Sequence, residues 1–382
     1  MEHSAQRILT THCGSLPRPK GLLDLMKAKL TGNSYDKEAY ARATRSAVAE
    51  IVRQQVSCGI DLISDGEQGK PGFFTYINER LTGFEPRVGN SLAQFADEMA
   101  AFPEYYEEYF GRAMTGGTIA PVTPMVCTGS VTYRGKIALH EDLENLLATG
   151  AKPTAMFMPA VAPSGAGRNE YYPSEEAYLY AVAEAMRTEY LAIADAGLTV
   201  QVDDPFLSDI FGDASLTAVE RRKKAEKYVE AINHALRGVP AEQVRFHTCY
   251  GINEGPRLHD AALKDIAPIM LKVKAQAYSF EAANSRHEHE YHLWEDLRLP
   301  EGKILIPGVV THASNIVEHP ELIAERIVRY ARLVGRENVI AGTDCGFSSQ
   351  ATYKPEVHPT VVWAKFRAMA EGAQLATRQL WP

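Results

Sequence analysis

The sequence predicts an α/β protein, a (β/α)8 TIM barrel. Three observations carry this expectation. Eight short apolar, β-branched runs alternate with longer segments of helical periodicity, the pattern of parallel strands joined by helical crossovers. A chain of 382 residues suits one large α/β domain, and we take 1–382 as a single unit. Polar or ionisable residues follow seven of the eight runs, where barrels of this kind build their active sites.

The elements follow in order. A first strand at Arg7–His12 leads to a helix at Asp36–Cys58, rich in Ala and Arg, which stops at Gly59. A second strand is expected at Ile60–Ser64. Two stretches then break the alternation: the aromatic, acidic 91–117 and an apparent short hairpin at Val126–Lys136. We read 91–136 as an insertion between strands two and three, either a surface excursion or a lid. The third strand is expected at Ala155–Ala160. The helix at Ser174–Ala196 opens on Ser-Glu-Glu, an acidic first turn that suits the helix dipole. Strands at Leu198–Val202 and Val244–His247 flank a helix at Leu216–Leu236. Strands at Ala277–Glu281 and Ile304–Val310 precede a helix at Pro320–Val334 that stops at Gly335. The strand Val339–Thr343 and a helix from Pro359 to about Ala376 complete the set.

Composition narrows the function. The chain is 45% hydrophobic and 23% charged, ordinary for a globular protein. Its net charge of −8 and lack of a basic run argue against nucleic acid. No apolar run is long enough to span a bilayer. The start, MEHSAQRILT, shows no export signal, so a cytoplasmic location is expected. The five cysteines are then reduced thiols, free to bind metal.

The strand ends carry the chemistry. His247 and Cys249 are one residue apart, so on an extended chain they point to the same side. Taken alone, the pair could also be a buried Cys beside a hydrogen-bonded His. Glu281 and Cys345 follow two other strands. One imidazole, two thiols and a carboxylate form a set suited to Zn²⁺. Two thiolates and a carboxylate leave a zinc site net negative, a poor generator of hydroxide. Such a site can still hold a substrate thiol as a nucleophilic thiolate. The expected reaction is therefore alkyl transfer onto sulfur, with Glu281 leaving the metal as the substrate sulfur arrives.

Other residues have two readings each. Arg286 could anchor a substrate carboxylate or sulfonate, or pair with Glu288 or Glu290. His287, His289 and His292 resemble a metal cluster, yet alternating His and Glu is also common in hydrogen-bonded loops. Asp344 could orient a ligand from behind. Cys13, Cys58 and Cys127 are expected to be unligated, Cys13 alone of the three lying at the rim. Trp294 and Trp363 read as packing residues.

HCGSLPRP, LISDGEQG, QVDDP, FHTCYG, SFEAANSRHEHE, IPGVV and GTDCG, in that order, resemble the catalytic barrel of the cobalamin-independent methionine synthases and their short single-barrel relatives. These relatives include the epoxyalkane:coenzyme M transferases. The resemblance spans about residues 8–375. It implies zinc at His247, Cys249, Glu281 and Cys345, and an amino-acid thiol held near Ser15, Glu67 and Asp203. It also implies His312 as proton donor to the leaving group, through an alignment with a one-residue gap. Glu67 and Asp203 could instead cap helices. Two departures stand out. The chain has no room for the second barrel of the full-length enzymes. The tryptophan that stacks on the folate pterin has no counterpart in KPTAMFMPAVAPSG, where Pro159 lies near that position. The donor is thus open between methyltetrahydrofolate, a corrinoid protein, an epoxide and another small methyl donor.

The leading expectation is a zinc-dependent methyl or alkyl transferase acting on a small thiol, with homocysteine methylation or epoxide opening by coenzyme M as branches. A metal-free decarboxylase like uroporphyrinogen decarboxylase is the alternative of another class, and an inactive binding protein a third. No nucleic acid or membrane partner is expected, and the oligomeric state, monomer or homo-oligomer, is open.

Overall fold

The computed structural model describes residues 1–87, 96–112, 117–251 and 255–382. Eight parallel strands follow the expected order: β1 (Leu9–Thr10), β2 (Leu62–Ile63), β3 (Ala155–Val161), β4 (Thr199–Asp203), β5 (Val244–His247), β6 (Ala277–Phe280), β7 (Ile304–Val310) and β8 (Ile340–Thr343). Each pairs with its neighbour from β2 through β8, and β8 returns to β1. The seam between β1 and β2 is bridged by Asp61 N–H donating to Thr10 O at 3.1 Å and by Thr11 Oγ1 donating to Leu62 O at 3.1 Å. These two strands are shorter than expected for a local reason. The Asp61 carboxylate takes the N–H and hydroxyl of Thr10 and replaces ladder bonds with side-chain bonds.

The helices start where side chains satisfy their first N–H groups. Asp36 accepts from Glu38 N and Ala39 N and opens Lys37–Ser57. Ser174 accepts from Ala177 N and opens Glu175–Asp195. Thr217 and Glu220 form a capping box ahead of Ala218–Ala235. Pro320–Val334 runs as expected, and the last helix extends to Leu380. Lys20–Leu30 and Lys136–Leu147, which the sequence reading passed over, lack side-chain caps and bury only three residues each.

The local hairpin expected at Val126–Lys136 does not form. Met125–Cys127 instead pairs antiparallel with Phe84–Pro86 and parallel with Arg168–Asn169. Part of the 91–136 region, 91–95 and 113–116, lies outside the described residues. The rest carries the short helices Ala96–Ala101 and Pro103–Arg112, the latter burying Tyr106, Tyr109 and Phe110 together.

Leu9, Leu62, Ala277, Ile304, Ile306 and Ile340 fill the interior of the barrel's N-terminal end. Above this plug the interior turns polar. Arg245 lies over the Phe157 ring at 3.9 Å and donates to Thr11 Oγ1 and His12 O. Among the described residues no helix is long and apolar enough to cross a membrane.

Candidate active site

Strand register sets the height of the site. Asp203 of β4 pairs with His247 of β5, which pairs with Ser279 of β6, so the three side chains reach the C-terminal mouth side by side. His247 Nδ1 meets Ser279 Oγ at 3.1 Å and Cys13 Sγ at 3.5 Å. Its Nε2 is buried without a hydrogen-bond partner. A buried polar nitrogen left unpaired is costly unless a ligand completes it. A ring nitrogen of His247 and the sulfurs of Cys249 and Cys345 lie within 4.8 Å of one another. Burial pushes the imidazole down to about 3, so it is neutral with a lone pair to offer. The Cys345 thiol is held well above its ordinary range by its hydrogen bond with Cys249 and by burial. Two thiols and a neutral imidazole converging this closely make a soft cation site. A cation bound there would supply the charge that turns the thiols into thiolates.

A second group stands beside the first. Glu281, His312 and Asp344 bring ligand-capable atoms within 4.8 Å of one another. The Glu281 carboxylate accepts from Tyr250 N at 3.1 Å and from Asn284 Nδ2 at 2.8 Å. Thus Glu281 is grouped here with His312, next to the cysteine pair. Asp344 Oδ1 accepts from Ala282 N and Ala283 N, both at 2.7 Å, and so holds the turn that presents Glu281. Burial lowers His312 to about 4 despite Asp344, and burial together with Glu281 raises Asp344.

Ser15, Glu67 and Asp203 are all buried. Ser15 packs against the turn after Cys345. A Cβ on Gly346 would fall 2.0 Å from Ser15 Oγ, so a side chain there would displace the Ser15 hydroxyl. Glu67 has φ 54°, the left-handed region, in a turn where Asp65 Oδ1 accepts its N–H. Such strain costs on the order of 1–2 kcal/mol and collects at functional sites. Its Oε2 is buried and unpaired, and burial lifts its carboxyl to about 7. Asp203 is raised well above its usual range by burial and then by Glu67. Two such buried carboxyl groups resist ionising together.

Arg286 pairs with neither Glu288 nor Glu290. Its guanidinium lies between Asp260 and Glu281. Glu288 goes to Arg326 and Arg329, and Glu290 to His287. His287 stacks on Tyr250 at 3.9 Å and bonds to carboxylates, and none of His287, His289 and His292 falls in a metal-ligating group among the described residues. Trp294 is buried in the core and Trp363 packs against it.

The sequence reading missed a cavity of about 540 Å³ at the mouth. Gly251 and Phe347, each two residues past a cysteine of the pair, line it, with Phe73, Phe74 and Phe206. Aromatic faces are therefore present, but they come from the loops after β2, β4 and β8 rather than from the stretch after β3. Phe206 and Phe347 directly follow the DDP and DCG motifs, and that position was the available signal.

A parallel barrel with an imidazole and two thiols converging at its C-terminal mouth is the architecture of a barrel enzyme with a sulfur-rich centre able to ligate a metal. Residues 8–368 match the family described as cobalamin-independent synthase, catalytic domain, and the chain belongs to that family. It is thereby an enzyme of a methyltransferase family. A methionine synthase of Thermococcus kodakarensis is 23% identical over 377 residues, covering 97% of this chain and 94% of its own. One from Sulfolobus acidocaldarius is 24% identical, with 88% and 85% covered. The fold matches a B12-independent methionine synthase from Shewanella sp. W3-18-1, solved with selenomethionine, at a TM-score of 0.73 and 18% identity, covering 98% of this chain and 99% of that one. A putative counterpart from Listeria monocytogenes gives 0.67 and 19%, with the same coverage.

Proposed function

We propose that the chain methylates, or transfers another small alkyl group to, the sulfur of homocysteine, with zinc held by His247, Cys249 and Cys345 and with Glu281 as the exchangeable fourth ligand. The observation that carries this reading is the convergence of the three donor atoms within 4.8 Å, with His247 Nε2 buried and unpaired. Zinc bound there supplies the charge that keeps the acceptor sulfur a thiolate.

The rest is the work of the chain's own side chains. Ser279 fixes the imidazole through Nδ1 and leaves Nε2 unpaired. Glu67 and Asp203 receive the ammonium group of the acceptor, whose positive charge relieves their mutual repulsion. Ser15 lies beside them against the Cys345 turn. His312, in its imidazolium form, passes a proton to the leaving atom and returns to the neutral state that burial favours, while Asp344 beside it stabilises the ring's charge as long as it lasts. The donor occupies the 540 Å³ cavity, where the Phe73, Phe206 and Phe347 rings suit a flat heteroaromatic carrier such as methyltetrahydrofolate.

Two alternatives fare worse. A sulfonate thiol such as coenzyme M would bring a negative charge to Glu67 and Asp203. A metal-free decarboxylase needs arginines free to grip a polyanion. Arg18 is committed to the carbonyls of Ser348, Glu67 and Lys70, and Arg245 to Thr11 and His12.

The test is a methyl-transfer assay with zinc analysis on wild type and Cys249→Ala. Homocysteine and coenzyme M serve as acceptors, methyltetrahydrofolate and methylcobalamin as donors. Turnover with homocysteine, lost together with zinc in Cys249→Ala, is expected. Metal-free wild type, or coenzyme M as the preferred acceptor, would overturn the reading.

A further inference from the structure

A chain of contacts runs from the region before β3 to Glu281. Glu98, on the helix Ala96–Ala101, is buried. Its carboxylate accepts from Leu258 N at 3.0 Å and His259 N at 2.7 Å and faces Arg257 Nε at 3.7 Å. Tyr106, on the next helix, reaches the same segment through Pro256 O at 3.4 Å. The segment thus gripped carries Asp260. Asp260 pairs with Arg257, with Arg286 and with His287 Nε2. Arg286 turns its other nitrogen to Glu281 Oε2 at 3.4 Å. Arg257 also donates to Tyr250 O, while Tyr250 N donates to Glu281 Oε1.

Glu281 is therefore approached by a cation whose own position is set by Asp260. A guanidinium that draws on a carboxylate competes with any metal for the same lone pairs.

We propose that Asp260 and Arg286 clamp Glu281 and set how readily it leaves the metal for the incoming thiol, and that Glu98 holds the clamp in register. Arg286 and Asp260 are positioning residues here, acting on the metal shell only through Glu281. The inference rests on the metal centre proposed above, and it gives the 96–112 helices a role that is neither a passive excursion nor a moving lid.

Cobalt(II) serves as the probe, read by its visible spectrum and by competition with a chromophoric chelator on the full-length chain. The variants are Arg286→Met, Arg286→Lys, Asp260→Asn, Glu98→Gln and Cys249→Ala. Freed from the clamp, Glu281 binds more firmly. Arg286→Met should tighten cobalt by roughly tenfold and raise the KM for homocysteine by a similar factor, the scale of one charge-assisted bond, whereas Asp260→Asn, which leaves Arg286 with Glu281 as its remaining carboxylate, should move both in the opposite direction. The spectrum of Arg286→Met should respond less to added homocysteine than wild type. Arg286→Lys should restore part of the wild-type behaviour, and Glu98→Gln should show the same direction as Asp260→Asn at smaller size. A merely structural contact would lower the melting temperature without tightening cobalt. If Cys249→Ala alone changes affinity and spectrum, the clamp is wrong and the metal centre stands. If Cys249→Ala also binds like wild type, the metal centre falls and the clamp with it.

Discussion

Replacing Glu67 with glutamine should move stability and substrate affinity in opposite directions. The carboxyl is buried, its Oε2 has no partner, and burial lifts it from an ordinary 4.5 to about 7, with Lys70 and Arg18 opposing the rise. A group whose folded value lies above its unfolded value favours folding in its protonated form. That contribution is full below about 4.5 and is lost as pH rises through about 7. The difference between 4.5 and 7 corresponds to roughly 3 kcal/mol of penalty on the charged form in the empty enzyme. Glu67→Gln has nearly the same shape and no charge. At pH 8 it should stabilise the empty protein by up to roughly 3 kcal/mol against denaturant, and the gain should vanish near pH 4. The same change removes an ionic bond to the acceptor's ammonium group. The KM for homocysteine should rise about 10- to 100-fold, since a charged hydrogen bond contributes roughly 1.5–3 kcal/mol. Urea melts at both pH values and steady-state kinetics read the two effects. A variant less stable at pH 8, or one with an unchanged KM, would refute the assignment of Glu67 as an unpaired receptor for the amine.

Three further outcomes are expected. Gly308→Ala should cost about 2–3 kcal/mol in urea melts, because its Cβ would fall 2.0 Å from Asp344 Oδ1 and 2.7 Å from Asp344 Cα and push β7 from β8. Lys365→Met should cost about 3–5 kcal/mol by stranding Glu318, and adding Glu318→Gln should recover most of it. The pair is buried at 2.9 Å, and Glu318 Oε1 also holds Thr311 N beside His312, so melts and turnover should fall and recover together. Phe206→Ala should raise the donor KM by about tenfold through loss of a ring from the cavity, with the homocysteine KM unchanged.

Much of the barrel could be read in the sequence because its signals are local. β5 and β7 coincide with their apolar runs, and helices opened by Asp36 and Ser174 begin where those caps stand. His247, Cys249 and Cys345 could be found because strand ends in a parallel barrel share one face. What escaped depends on contacts between distant segments. The partner of Arg286 is Asp260, 26 residues away and outside its own loop. The pairing of Met125–Cys127 with Phe84–Pro86 crosses the 91–117 stretch, so no turn signal marks it. The cavity aromatics come from three loops that only the closed barrel brings together. Glu281 falls in a group with His312 and Asp344, an arrangement set by side-chain direction that spacing does not reveal.

X-ray absorption at the zinc edge, recorded on the purified full chain before and after homocysteine, tests the central claim most directly. The account predicts stoichiometric zinc with two sulfur neighbours, rising to three as homocysteine binds and an oxygen neighbour departs. Protein that binds no zinc, or a zinc shell that gains no sulfur from homocysteine, would contradict it.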